Sequence, residues 1–453
     1  MYQDITNFNE AMKIFYASKL TEYRRFYTWF YDAKDIQVGT EFFNGKYYHI
    51  PLDIRTGVSV GSRPEASNGG SLPEYIPHTP THVEAYSRYH YVTVSVTGPV
   101  EAQGSGSQEG IWESVTEKEM RKAGKTFAEQ MSRSMWNSGY GVLCEVASVA
   151  LSAGTQYTIT IKKKYVPGTT FTNPSKTAPS NIKYIRGLTS PRRLVYGNSG
   201  GAVEFGAATP TGRGVCTVVS VSTSSPFDTF VVDIAANPGA LPLADDIFVL
   251  GDAVSFGKHS YNQEMNGLAD IVSDSTDFGN VSITSYPEWK AFIADASGGT
   301  GAMTTPSEDL MQQTYDNITL LSGVEKVDCL AMTPATWRTL VQVIRNKGGE
   351  RFVPCEFKGG VDRLAWDFSG GPCPLVPDFY APNNEIQYIA EEALMKCETK
   401  AFEWDERGGG VWKWQNGADA YIGFAKMYGN LTTDRRNGLG KITNVLESIA
   451  TLA

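Results

Sequence analysis

Residues 89 to 141 constrain the fold more than any other stretch, because a strand pattern there leads into one long helical pattern. Tyr89-His-Tyr-Val-Thr-Val-Ser-Val-Thr-Gly-Pro-Val alternates apolar and polar residues with period 2, as a half-buried strand does. A Gly/Ser stretch follows (Gly104-Ser-Gly-Ser), and Thr116-Glu-Lys-Glu119 is a capping box that predicts a helix start. The helix is expected to run from 117 to 137, a span of ~30 Å, until Asn137-Ser-Gly139-Tyr-Gly141 stops it. Met120, Phe127, Met131 and Met135 share one face with the small Ala123, Gly124 and Ala128. Lys118, Arg121, Lys122 and Lys125 lie off that stripe and read as a solvated face, with ion pairing between subunits as the alternative. An extended strand and a rigid rod suit a part that reaches outward and braces neighbours rather than one that encloses a pocket.

The segments on either side extend this picture. Residues 8 to 31 place Phe8, Met12, Phe15, Tyr23, Phe26, Tyr27 and Phe30 at helical spacing. That pattern fits a helix on its own core and an arm on an adjacent surface equally well. Residues 45 to 110 read as one long two-stranded excursion. Its outgoing strand is Tyr47-Tyr-His-Ile-Pro-Leu-Asp-Ile, its tip is rich in turn residues from Gly61 to Pro73, and its return strand ends at Gly98. A lone hairpin of this length holds too little core to stand by itself, so it is expected to lie on something else. From 142 to 260 the pattern is β-rich, with turn clusters between short runs, as in a small barrel or sandwich. From 261 to 345 it is mixed. Ser307-Glu-Asp-Leu-Met opens a helix, Val327-Asp-Cys-Leu-Ala-Met is a buried strand, and Thr333-Pro-Ala-Thr-Trp-Arg opens a second helix with proline in its first turn. Strands return from 386 to 430, and a final short helix is expected near Lys441-Ile-Thr-Asn-Val-Leu.

Composition excludes some classes. A net charge of −9 argues against a general nucleic-acid binder, which needs a basic face to displace counterions, but suits a wall that only encloses DNA. No run of 18 apolar residues marks a membrane span, and Met1-Tyr-Gln-Asp-Ile-Thr lacks the basic and apolar regions of a signal peptide. The cysteines (Cys144, Cys216, Cys329, Cys355, Cys373, Cys397) show no C-x-x-C spacing and read as buried free thiols of a protein made in a reducing cytoplasm.

Catalytic and metal patterns are weak. Gly197-Asn-Ser-Gly-Gly201 fits G-x-S-x-G, but neither a strand-to-helix elbow nor a histidine motif accompanies Ser199, so it reads as a plain turn. His78, His82 and His90 have ligand-like spacing. No fourth ligand follows in register, and Pro77 and Pro80 break any helix that would align the first two. No Gly-rich phosphate loop occurs. The expectation is therefore no catalytic residues, no cofactor and no metal site.

In their order, these parts resemble the major capsid proteins of tailed bacteriophages with the Hong Kong 97-type fold. The resemblance rests on Tyr89 to Gly98, the helix from 117, Trp136-Asn-Ser-Gly-Tyr-Gly141, Glu264-Met-Asn-Gly-Leu-Ala-Asp-Ile-Val, Tyr286-Pro-Glu-Trp289 and Val327 to Trp337. It implies an α+β fold with an N-terminal arm (1–44), an E-loop hairpin (45–110), the spine helix of a peripheral domain (111–141), a β-rich segment or insertion (142–260), an axial domain (261–385) and closing strands with a C-terminal tail (386–453). It also implies a non-enzymatic coat protein of the virion, assembled in the host cytoplasm. Pentamers and hexamers of the chain would form an icosahedral shell that encloses double-stranded DNA without reading its sequence. Implied partners are neighbouring capsomers and portal, scaffolding or decoration proteins, with no membrane. Candidate inter-subunit contacts are Arg63, Glu65, Arg88, Arg435 and Arg436, whose alternative is ordinary surface charge. The rival readings are an encapsulin-like compartment of the same fold, a serine hydrolase around Ser199, and a β-rich tail or adhesin protein.

Overall fold

The computed structural model describes residues 37–38, 43–55, 77–78, 80–100, 115–162, 185, 193–198, 214–222, 229–234, 241–251, 259–346, 352–357, 361–406 and 410–447. The expected helix at 8–31 and the hairpin tip at 61–73 lie outside them.

The long helix spans Val115–Trp136, starting slightly before the expected position. The later part of its stripe is buried, with Phe127, Met131 and Met135 and the adjoining Trp136 at most 5 % exposed, while Met120 near its start is half-buried. Phe127 meets Phe402 at 4.6 Å between ring centres, which seats the helix on the strand Leu394–Trp404. Polar groups also tie it down. Tyr380 Oη donates to Glu129 Oε1 at 2.6 Å, and Arg133 pairs with Glu264 at 2.7 Å, both nearly fully enclosed.

Five strands form the sheet under this helix. Leu394–Trp404 and Ala420–Thr433 are antiparallel, Lys413–Trp414 pairs with the latter, and Gln37–Val38 runs parallel to the former. Arg88–Thr97 pairs with Ala420–Thr433 in unbroken register from Arg88↔Gly429 to Thr97↔Ala420. The alternation at 89–98 predicts the return strand of the excursion. The excursion is instead the hairpin of Tyr47–Leu52 with Thr81–Tyr86, and the chain turns at Ser87 to join the sheet. Both strands alternate in the same way, so period 2 alone could not say which partner each one takes.

Directly after the helix the chain enters a closed barrel. In wall order the strands are Asp246–Leu250, Val142–Ala153, Gln156–Ile161, Thr229–Asp233, Gly214–Val221 and Arg193–Asn198, the last closing on the first, and every pairing is antiparallel. Closure removes the exposed edges that such short strands would otherwise offer. Phe230, Tyr196 and Phe248 fill the interior, with ring centres 5.4 and 5.5 Å apart.

A seven-stranded mixed sheet forms the third unit, in the order Phe292–Asp295, Gly440–Thr443, Ile386–Ile389, Cys329–Met332, Gly371–Pro377, Val361–Phe368 and Phe352–Phe357. The helix Glu308–Ser322 buries Met311, Tyr315 and Ile318 in this unit's core, with Tyr315 stacked on Phe368 at 4.5 Å. Ser307 caps it by accepting from the Leu310 amide, and Gly323 at φ +67° ends it. The second expected helix spans Pro334–Asn346. The expected helix near 441 is instead the strand Gly440–Thr443, held between parallel Phe292–Asp295 and antiparallel Ile386–Ile389. Tertiary contacts override local pattern here: β-branched Ile442 and Thr443 suit a strand, and Gly440 fits where a Cβ would lie 2.8 Å from the Phe292 carbonyl. Ile386–Ile389 also belongs to this sheet, so the chain crosses between the two sheets after residue 389 rather than at 385.

Cys144, Cys216, Cys329, Cys373 and Cys397 are buried thiols. Among the described residues no helix is long and apolar enough to cross a membrane.

Asp405 lies at the end of the Leu394–Trp404 strand, 2 % exposed, with the ammonium groups of Lys413 and Lys426 on its two oxygens. Hydrogen bonds from the two lysines hold its carboxyl down at about 2. An unfolded aspartate titrates near ~3.9, so on acidification the unfolded chain takes up this proton first. The stabilisation is therefore complete above pH ~4 and is lost as the pH falls towards 2. Thermal unfolding from pH 5 to 2 should show a steeper acid fall for the wild type than for Asp405→Asn. The variant should be less stable at neutral pH, because enclosed Lys426 loses its anion.

Candidate assembly surfaces

The hairpin turns one face inward and one outward. Tyr48, Ile50, Leu52, Val83 and Ala85 join the core, and Tyr47, His49, Pro51, His82, Glu84 and Tyr86 face out. Its base is pinned. Tyr48 Oη pairs with Thr399 Oγ1 at 2.5 Å and accepts from the Thr399 amide at 3.0 Å. The Glu84 amide donates to the Gly279 carbonyl at 2.8 Å. Gly279 is required there: its φ is +62°, and a Cβ would lie 2.2 Å from Val83. At the far end of the outgoing strand, Arg55 makes a forked pair with Glu288 at 3.0 Å, in water. The fork raises the Arg55 pKa and lowers that of Glu288, and at this exposure it fixes direction more than it adds stability.

Aromatic surface continues along the adjoining sheet. Tyr89 and Tyr91 are 55 % and 57 % exposed and meet Tyr428 edge-on at 5.1 and 6.0 Å. Burial and then the hydrogen bond with Tyr428 push the Tyr91 phenol up to about 12. Trp414, 58 % exposed, packs edge-on against Tyr421 at 5.3 Å. A separate apolar patch sits at the end of the helix Glu308–Ser322, where Leu320 and Leu321 are 81 % and 67 % exposed.

The sequence-predicted contact residues have different places. Arg63 and Glu65 lie outside the described residues. Arg88 is partly enclosed and donates to the Asn262 carbonyl at 2.6 Å and to Asn262 Oδ1 at 3.1 Å, with burial lowering its pKa. Arg435 is exposed, beside Asp434, whose carboxyl burial raises. Arg436 is turned inward and fully buried, donating to the carbonyls of Ile271 (2.6 Å), Thr276 (2.8 Å) and Asp270 (3.3 Å) over the Phe278 ring. Desolvation lowers its pKa to about 10, and burial raises the nearby Asp270 to about 6. An Arg-Arg doublet carries no sequence sign of which guanidinium turns inward.

The catalytic and metal patterns also have places. Arg193–Asn198 is a barrel strand, with Gly197 opposite Ile247, and Ser199 lies outside the described residues. His78 pairs with Asp53 at 3.2 Å, while His90 is buried and driven down to about 4 by desolvation and then by Arg88. His82 meets His49 and Glu84 instead, a grouping that spacing missed because it depends on cross-strand register.

No protein-family model and no curated protein sequence matches the chain. Solved structures do. The chain is similar to the capsid asymmetric unit of cyanophage A-1(L) at 9 % identity, covering 95 % of this chain and 96 % of that one, with a TM-score of 0.51. It also aligns with an encapsulin complex from Synechococcus elongatus (10 % identity, 96 % and 95 % covered, TM-score 0.45) and with the Mycobacterium phage Bobi structure (8 %, 97 % and 99 %, 0.42). The chain shares the α+β fold of that cyanophage capsid structure along nearly its whole length.

Proposed function

We propose that the chain is the major coat protein of a tailed bacteriophage, a non-enzymatic subunit that assembles as pentamers and hexamers into an icosahedral shell around double-stranded DNA. The observation that carries this reading is the end-to-end match of the fold to a phage capsid subunit. In this reading the hairpin Tyr47–Leu52/Thr81–Tyr86 is the base of the E-loop, the Val115–Trp136 helix is the spine, and the seven-stranded sheet is the core of the axial domain. Arg435, with Arg63 and Glu65 at the hairpin tip, would contribute inter-subunit ion pairs. Scaffolding, portal and decoration proteins are further partners of such a shell.

Exposed apolar groups supply a physical reason to assemble. Leu320 and Leu321 stand almost free of their own chain, and each leucine transferred from water to a contact contributes ~1.5–3 kcal/mol. Repetition over every subunit of a closed shell multiplies that term. Negative-stain microscopy of the purified chain, with size-exclusion chromatography, should show closed shells tens of nanometres across, or rings of five and six. Fibres or trimers would sink the reading. The contents, nucleic acid or a protein cargo, separate a virion from an encapsulin-like compartment. Leu320→Ser with Leu321→Ser should leave circular dichroism unchanged and raise the concentration needed for assembly ~10-fold or more, as losing ~1.4 kcal/mol per contact requires.

A further inference from the structure

The chain has five histidines, and three of them (His49, His78, His82) gather at one hairpin. Antiparallel register places His49 directly opposite Glu84, and His82 lies two residues from Glu84 on the same outward face. The result is a compact group. His82 Nε2 is 3.1 Å and His49 Nδ1 is 3.8 Å from Glu84 Oε1, and donor atoms of all three residues lie within 4.8 Å of one another.

We propose that His49, His82 and Glu84 form a binding site for a divalent transition-metal ion of the zinc type, which staples the two strands of the hairpin. A tetrahedral zinc with bonds of ~2.0–2.1 Å holds its ligands ~3.3–3.4 Å apart, so two of the separations already bracket the need. Small χ rotations bring the two imidazoles together, since their ring centres are 5.2 Å apart. Two imidazoles with one carboxylate select zinc, cobalt or nickel over magnesium or calcium, which prefer all-oxygen shells. The side chains are 33 %, 50 % and 26 % exposed, for His49, His82 and Glu84 respectively. That leaves an entry path and a coordination position for water. A two-stranded ribbon has little core of its own, so a cross-strand metal adds what its length cannot supply. The site does not depend on shell assembly.

The test uses the full-length chain, stripped with a chelator and titrated with zinc alone by calorimetry at pH 7.5, with cobalt(II) absorbance reporting ligand geometry. One zinc per chain should bind, and bound zinc should raise the unfolding temperature. His49→Ala and His82→Ala should each weaken binding at least ~10-fold, the lower end of what even loss of a supporting group costs. The double variant should lose binding while keeping its circular dichroism, because both side chains face solvent. His78→Ala, paired to Asp53 nearby, should bind like the wild type. A wild type that binds no more zinc than the double variant would overturn the site, as would equal loss in His78→Ala.

Discussion

Arg436→Ala should destabilise the folded chain by ~3–5 kcal/mol, the range for removing one partner from a buried charged network. The guanidinium is fully enclosed and supplies donors to three carbonyls of the 270–276 segment. Alanine leaves those carbonyls unpaired, and a buried polar group without a partner costs ~1–3 kcal/mol. The arginine also bridges the exit of the five-stranded sheet to the segment leading into the seven-stranded sheet, since the turn Arg436–Gly438 joins Ala420–Thr433 to Gly440–Thr443. Lysine is no substitute: one ammonium cannot span three acceptors fixed for a planar fork. Urea unfolding followed by tryptophan fluorescence measures the loss. The same experiment on Arg435→Ala should give a change within ~0.5 kcal/mol, because that side chain is exposed. Equal effects at the two positions would refute this assignment.

Gly267→Ala should cost ~3 kcal/mol or abolish soluble folding, although glycine to alanine adds only one methyl group. An added Cβ would lie 2.1 Å from the Asn137 carbonyl oxygen, 2.4 Å from that of Ser134 and 2.7 Å from that of Met135. All three belong to backbone at the end of the long helix, and backbone cannot swing aside as a flexible side chain can. Overpacking of this kind costs ~1–3 kcal/mol even where neighbours yield. The reason is close approach, not conformational freedom, since Gly267 has an ordinary extended φ of −131°. Gly139 faces the same junction, but its nearest obstacle is the Asn266 side-chain oxygen at 2.7 Å, so Gly139→Ala should cost less. Gly124→Ala, in the middle of the helix with open space around it, should stabilise by ~0.5–1 kcal/mol. Thermal and urea unfolding of the three variants should rank them in that order, and a destabilised Gly124→Ala would contradict the packing described.

The junction shows why some features were legible in the sequence and others were not. Asn137-Ser-Gly139-Tyr-Gly141 reads as a helix stop from residue type alone, and the helix does end at Trp136. The second role of these glycines, admitting the 260–270 backbone, depends on a segment distant in sequence, which docks through the Asp270 carboxylate on the Gly139 amide at 2.6 Å. The His49–His82–Glu84 group is not legible in the sequence for a related reason. Spacing grouped His82 with His78 and His90 along the chain, whereas pairing across the hairpin sets it beside His49.

What the sequence determined by itself is what local chemistry determines. Period-3.6 apolar spacing fixed the Val115–Trp136 helix, Ser307 marked the start of the Glu308–Ser322 helix, and short β-rich runs between turn clusters marked several barrel strands and the outgoing edge of the hairpin. Each rests on interactions within a few residues, so pattern suffices. Only the tertiary structure decided which strands pair, that Arg88–Thr97 joins the Ala420–Thr433 strand, that Gly440–Thr443 is a strand, and that Arg436 is enclosed while Arg435 is not. Those outcomes turn on backbone hydrogen bonds and burial between distant segments. Several registers there satisfy the same apolar alternation, and the complete packing of the chain selects one.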